Sequence, residues 1–346
     1  MSRLAVVLFN LGGPDRPGSI EPFLFNLFND PEIIGAPGAL RWLLARLLSR
    51  RRAAEASAIY QRLGGKSPLL DNTRLQAEAL EVLLGDTASA RVFIAMRYWH
   101  PMSVETAEAV KAFAADEIVL LPLYPQFSTT TTGSSLAEWR RAAAAVGLEA
   151  PARAICCYPA APGFIGAVAD LTGAGIAEVA AAGTAPRVLF SAHGLPRRVI
   201  RRGDPYQWQV EQTVAAVVAK LAVDDLDWSI CYQSRVGPLE WIGPGIGEEL
   251  ERAAGDGVAV VVVPVAFVSE HSETLVELDI QFRNRARELG LPAYVRVPAV
   301  STREAYIECL ADLVDVARRG APGACTRPGG RTCPAPLGRC SFGRTL

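Results

Sequence analysis

VAVVVVPVAFVSEHSETLVELD, residues 258–279, decides the fold. Its first half is β-branched and apolar without alternation, the pattern of a strand buried on both faces, as in a parallel sheet. The run gives way to the polar SEHSE and then to a stretch of helical spacing. The same grammar recurs along the chain. Short apolar runs stand at 4–9, 92–96, 118–123, 188–191, 228–232 and 294–297, and stretches of helical length at 72–84, 104–113, 206–222, 245–254 and 273–289. Strands alternating with helices predict an α/β fold with parallel sheets flanked by helices. In such sheets ligands bind at the carboxyl ends of strands, so the residues after each apolar run are the ones to inspect.

Those loops echo one another. LFNLGGP (8–14) is answered by LFSAHGLP (189–196), AMRYWHP (95–101) loosely by YQSRVGP (232–238), and LLPLYPQFSTTTTGSSL (120–136) by VVPVAFVSEHSETLVEL (262–278). Two similar Rossmann-like halves with a cleft between them are the simplest reading, with strand-loop-helix units resembling one another as the alternative. The echo offsets shrink from 181 (189 minus 8) to 142 (262 minus 120), which places about 39 extra residues of the first half between positions 15 and 90. The division expected is a first half over 1–150 with an insertion at about 20–60, a second half over 151–319, and a cysteine-containing tail over 320–346. Within the insertion, ALRWLLARLLSRRR (39–52) reads as a basic amphipathic helix. It could lie on an anionic membrane or cover an apolar pocket, or it could pack on the core with its arginines solvated.

Composition narrows the function. Half of the 346 residues are apolar and 21% charged, too hydrophobic for a disordered chain. A formal net charge of -1 removes the long-range attraction to phosphate, so nucleic acid is not an expected partner. No run reads as a membrane span or a cleavable signal, and a cytoplasmic protein is expected. The seven cysteines are odd in number, with Cys325, Cys333 and Cys340 crowded into the last 22 residues. In a reducing cytosol they suggest buried thiols and a metal site, not disulfides.

Three histidines are present, and two end or follow apolar runs beside carboxylates or tight turns. His193 closes FSAHGLP, where Gly194 and Pro196 turn the chain. A neutral imidazole there could take a proton or bind a divalent metal, or be a satisfied structural histidine. Glu273 and Glu277 share a helix face by their i,i+4 spacing, next to Glu270 and His271. Paired carboxylates at a strand end carry protons or cations, unless they are solvated residues favoured by the helix dipole. The Ser/Thr-rich loop at 128–135 matches neither the P-loop nor the dinucleotide fingerprint.

FNLGGPD (9–15), NDPEII (29–34), GGKSPL (64–69), MRYWHP (96–101), LYPQFSTTTTGSS (123–135), FSAHGLP (190–196), RGDPY (202–206), YQSRVGPLEWIGP (232–244) and PVAFVSEHSETLVELD (264–279) together resemble the ferrochelatases, in order from residue 4 to about 318. The ELD ending is most similar to the protoporphyrin-using proteobacterial type. The resemblance implies an enzyme, a lyase inserting Fe²⁺ into protoporphyrin IX to form protohaem, the last step of haem biosynthesis. It also implies two Rossmann-like halves and an apolar lip in peripheral contact with membrane. By motif, His193 and Glu273 match the metallation pair, His271 and Glu277 its acidic surround, and Arg97, Tyr98 and Trp241 residues lining the macrocycle, with Ile34 facing the open side of the porphyrin. Some members hold a [2Fe-2S] cluster on three tail cysteines and one internal cysteine, which implies Cys325, Cys333 and Cys340 with Cys157. Because strand neighbours face opposite ways, only one of Cys156 and Cys157 can be that fourth ligand. Rival readings are a sirohydrochlorin or coproporphyrin chelatase and a non-catalytic tetrapyrrole carrier. Either a monomer or a homodimer is compatible with the sequence.

Overall fold

In a computed structural model, residues 2–85, 89–181, 183–235, 237–320 and 330–342 are described, and 323–325 by their backbone. The chain separates into two compact units, 1–158 with 310–332 and 340–346, and 159–309 with 333–339. The division expected at 150 falls before a strand that completes the first sheet.

The first unit contains β1 (Arg3–Asn10), α1 (Ile20–Phe28), α2 (Gly38–Gln61), α3 (Leu69–Gly85), β2 (Ser89–Met96), α4 (Ser103–Phe113), β3 (Glu117–Pro122), α5 (Ser134–Val146) and β4 (Ala152–Ile155). The second contains α6 (Pro162–Ala180), β5 (Pro186–His193), α7 (Arg197–Arg201), α8 (Tyr206–Leu221), β6 (Trp228–Gln233), α9 (Ile246–Gly255), β7 (Ala259–Pro264), α10 (Arg283–Glu288) and β8 (Tyr294–Arg296). Helix α11 (Glu304–Arg319) and the short β9 (Gly323–Cys325) follow. Both sheets are parallel, ordered β2-β1-β3-β4-β9 and β6-β5-β7-β8. Counted from each unit's own first strand, the first four strands of both run 2-1-3-4.

The likeness of the halves extends to register. Phe9 pairs with Pro122 as Ser191 pairs with Pro264, and Asn10 pairs with Met96 as Ala192 pairs with Tyr232. Past the second strand of each sheet, Met96 N donates to Pro101 O at 2.7 Å and Tyr232 N to Pro244 O at 2.9 Å. A wide π turn follows the third strand in both, at Thr129–Gly133 and Glu273–Phe282. Each sequence echo thus falls at a corresponding strand end. The extra length of the first half takes up α1 and α2, since three helices join β1 to β2 but two join β5 to β6.

Four elements depart from expectation. The helix expected over 273–289 winds its first ten residues as a π helix, and only Arg283–Glu288 is α-helical. Helix α6, rich in Gly and Ala, is 19 residues long and apolar enough to cross a membrane by length and composition, contrary to the expectation that no run reaches that length. Half of that helix is buried, with Phe164, Val168 and Leu171 among its inward residues, which is how a core helix passes the same test. The cysteine-containing tail adds β9 to the open edge of β4, where backbone donors and acceptors would otherwise lack strand partners. It also seats Cys340 and Phe342 in the core that packs around Phe9, Trp139 and Leu120.

Helix α2 is longer than the 39–52 expected, and several of its large apolar residues face out. Ala45 and Ser49 are buried, whereas Leu40, Trp42, Leu43 and Leu47 are all at least half exposed. Three arginines reach neighbouring elements, two of them while staying exposed. Arg46 and Arg50 pair with Glu21 of α1, and Arg41 donates to the carbonyls of Asn29 and Ala36, both at 2.9 Å.

Candidate functional site

In the second unit β5 is central, and its residues are buried until His193, the last of them, reaches the strand end with its side chain 38% exposed. Gly194 lets the chain turn there. Its N–H donates to Gln233 O at 2.8 Å, and a Cβ would stand 2.9 Å from that same oxygen. The neighbouring strand β7 runs out into the SEHSE loop, whose wide turn delivers Glu273. His193 Nδ1 lies 2.9 Å from Glu273 Oε2.

Behind that pair stands a network from β6. Gln233 Nε2 donates to Glu273 O at 3.0 Å and to Glu277 Oε2 at 3.2 Å, and its Oε1 accepts from Ser191 Oγ at 2.8 Å. Ser234 donates through its N to Glu277 Oε1 at 2.7 Å and through Oγ to Oε2 at 2.5 Å. Glu273 and Glu277 therefore do sit together, one turn apart, as their spacing implied.

The charges are set unequally. Burial opposes the imidazolium, but the Glu273 carboxylate, with Glu277 behind it, outweighs burial and holds His193 above its ordinary value. Burial would raise Glu273, yet His193, with His271 and Ser234, holds it down to about 2. Glu277 is raised, by burial first and then by Glu273, with Ser234 offsetting only part. His271 is lowered, since burial outweighs Glu273 and Glu270, and its Nδ1 is buried without a hydrogen-bond partner among the described residues. Its ring meets the Phe267 ring edge-on at 4.8 Å. The result is one carboxylate committed to the anionic form, a second that takes protons more readily, and an imidazole poised to gain one.

Trp241 is half-buried, bridged to Pro196 beyond β5, and its Nε1 has no partner among the described residues. In the first unit Arg97 follows β2. Its Nη2 pairs with Asp30 at 2.9 Å and its Nε donates to Ser134 Oγ at 2.6 Å. Tyr98, expected to line a macrocycle, lies behind Arg97. It is fully buried beneath the Arg97 guanidinium, 4.9 Å from it, and its hydroxyl donates to Asp30 Oδ2 at 2.7 Å, so it supports Arg97 and offers no open face. Ile34 is half-buried on the loop whose N–H groups fold back on Asp30 O.

Of the cysteines, Cys156, Cys157, Cys333 and Cys340 are buried, and the side chain of Cys325 lies outside the described residues. The Cys156 thiol interacts with those of Cys157 and Cys340, which, ahead of burial, push it well up. Because β4 ends at Ile155, the strand alternation expected to admit only one of Cys156 and Cys157 does not reach either residue. Cys325 pairs by backbone with Ile155, one residue before them. Cys333 groups with the second unit, where Gln209 Nε2 donates to its Sγ at 3.1 Å. Among the described residues no three side chains form a metal-holding set.

Ser191, Gln233, Ser234 and Asp30 lie within recognisable motifs, but the sequence alone gives none of them a task. Their signal was position, a polar residue at or just past the end of a buried strand or beside a named residue. What each one touches depends on neighbours distant in sequence.

Comparison with known proteins agrees with this geometry. The family profile described as Ferrochelatase matches residues 3–317. Proteins named Ferrochelatase from Caulobacter vibrioides and Phenylobacterium zucineum are 51% and 52% identical, the first over 98% of this chain and 97% of its own, the second over 98% of each. One from Pelagibacter ubique is 47% identical over 90% of both. Among solved structures, SirB from Bacillus subtilis with Fe³⁺ aligns with a TM-score of 0.53 over 92% of this chain and 96% of its own, at 12% identity, a likeness of fold.

Proposed function

The chain belongs to the ferrochelatase family, and from that membership we propose how its own residues insert ferrous iron into protoporphyrin IX to give protohaem. The observation that carries the reading is the His193–Glu273 pair at the carboxyl end of the second sheet. Insertion of Fe²⁺ releases two pyrrole protons, and the flat macrocycle must bend to expose its nitrogen lone pairs. Binding energy from remote contacts can supply that distortion, of order 1 to 5 kcal/mol.

His193 takes the protons. With Nδ1–H directed at the Glu273 carboxylate, Nε2 is the nitrogen left to accept, and the anion stabilises the imidazolium that forms. Glu277, raised and adjacent, receives protons from the pair and passes them outward, so that His193 is reset for the second one. Neutral His271 and half-buried Trp241 shape the site wall. Arg97, held by Asp30 and Ser134 with further N–H donors to spare, is assigned an anionic group of the porphyrin on the strength of its motif, as Ile34 is assigned apolar contact.

The exposed Leu40, Leu43 and Leu47 of α2 support reading this helix as the apolar lip of the family, in peripheral contact with the cytoplasmic face of a membrane. Thiol chemistry fits a [2Fe-2S] cluster held by Cys325, Cys340 and Cys156 or Cys157, with Cys333 assigned by its place in the tail. Bound, such a cluster would supply redox or structural chemistry, and no step of iron insertion is routed through it. Anaerobic incubation with Fe²⁺ and protoporphyrin, coproporphyrin or sirohydrochlorin, followed by fluorescence loss, tests the reading. Protoporphyrin should be metallated fastest, and binding of all three without turnover would leave a tetrapyrrole carrier.

A further inference from the structure

We propose that Gln233, oriented by Ser191, is the positioning residue that aims Glu273 and Glu277 during iron insertion. The inference rests on the proposed roles of His193 and Glu273 and adds to them the device that holds the carboxylates in place.

One amide group makes three contacts, all inside the second unit. Its two N–H donors are both spent on the acidic turn, one on the main-chain carbonyl of Glu273 and one on Glu277 Oε2. Its oxygen is spent on the Ser191 hydroxyl. Both Gln233 and Ser191 are almost wholly buried, at 1% and 0% exposure, so no water competes for these bonds. The amide can sit only one way round. Reversed, its oxygen would confront the Glu273 carbonyl and the Glu277 carboxylate, acceptor against acceptor. The Ser191 hydroxyl, donating to Oε1, reinforces the productive orientation.

Position explains why this residue has the task. Gln233 ends β6 and is paired with His193 across the strands, so the group that anchors the turn and the proton acceptor share one rigid sheet edge. A π turn has slack that an α turn lacks, and the bond to Glu273 O pins its first residue, whose side chain faces His193. The duplicated half offers an internal parallel. By strand register the position of Gln233 corresponds to Arg97, which also holds an acidic side chain, Asp30. In both units the residue that follows Met96 or its counterpart Tyr232 bonds a carboxylate.

Gln233→Met keeps the volume and deletes the donors and acceptor. Turnover in anaerobic iron insertion should fall about ten- to a hundredfold, as small misplacements of reacting groups do, while the KM for protoporphyrin stays within about twofold. Ser191→Ala should lower kcat by a smaller factor in the wild-type background and have no further effect in Gln233→Met, because it acts only through the amide. Wild-type turnover in Gln233→Met, equal loss of porphyrin affinity and kcat, or a Ser191→Ala effect of the same size in both backgrounds overturns the inference. Should Gln233→Met not fold, Ser191→Ala alone decides: unchanged kcat refutes the role, and a lowered kcat at constant KM supports it. His193→Ala, run alongside, separates the two claims. If it retains turnover the proton-acceptor reading fails, whereas a dead His193→Ala beside a fully active Gln233→Met sinks only the role of Gln233.

Discussion

Burial alone would disfavour the charged form of both His193 and Glu273, but each favours it in the other, the carboxylate being held down to about 2 and the imidazole raised toward taking a proton. Replacing His193 with Ala should leave the fold and porphyrin binding intact, since a strand-end ring 38% exposed contributes little to the core. Turnover should fall about 10²- to 10⁴-fold, the usual worth of a positioned acid or base, and a variant keeping more than about a tenth of the rate has no proton-acceptor role there. The depressed carboxyl has a stability signature. A group held at about 2 against an ordinary 4.5 contributes stability that is complete above the ordinary value and is lost as pH falls toward the folded one. Wild type should therefore exceed Glu273→Gln in stability near pH 6, and the gap should close between about pH 4.5 and 2 in urea titrations. A gap that persists to the bottom of that window would show that the stabilisation does not come from the ionised pair. The nature of these residues could be read from FSAHGLP and SEHSE and their pairing from the family resemblance, but the contact of His193 Nδ1 with Glu273 Oε2, between residues 80 positions apart, could not.

At the scale of elements, close approach and exposure decide what substitutions do. Gly163, in the first turn of α6, faces the start of α11, and a Cβ there would lie 2.4 Å from Ala305 O and 2.9 Å from Cys309 Cβ. Gly163→Ala should cost about 1 to 3 kcal/mol as an overpacked contact, measured by urea unfolding, and a neutral result would mean that the helices can part freely. On α2 the outward leucines make the opposite case. Changing Leu43 and Leu47 together to Ser removes apolar surface that is already in water, so thermal stability should hold. Sedimentation with vesicles containing anionic lipid should drop several-fold, at about 0.8 kcal/mol for each methylene no longer buried in lipid. Unchanged sedimentation would free this helix from any membrane role. The sequence marked this segment as amphipathic but not which side faces out, because the partners of its arginines, Glu21 and the carbonyls of Asn29 and Ala36, lie elsewhere in the fold.

Over the whole molecule, the tail poses the sharpest test. If its thiols hold a [2Fe-2S] cluster, protein expressed anaerobically with ample iron should be reddish-brown with about two irons and two acid-labile sulfides per chain. Cys340→Ser should be colourless and less stable, as loss of a native-state ligand requires. Colourless wild-type protein containing zinc would remove the cluster and leave the chelatase assignment as it stands. The sequence by itself determined the two parallel α/β halves, the extra length in the first and the strand-end motifs that carry the chemistry. Those follow from local causes, namely apolar runs without alternation, helical spacing and residues fixed to strand termini. Tertiary structure alone decided that the tail continues a sheet, that Tyr98 is buried as a support, that α2 turns its leucines outward and that one glutamine amide spans two glutamates. Each of these depends on which distant segment offers the open sheet edge, the carboxylate or the hydroxyl, and no local pattern encodes that choice.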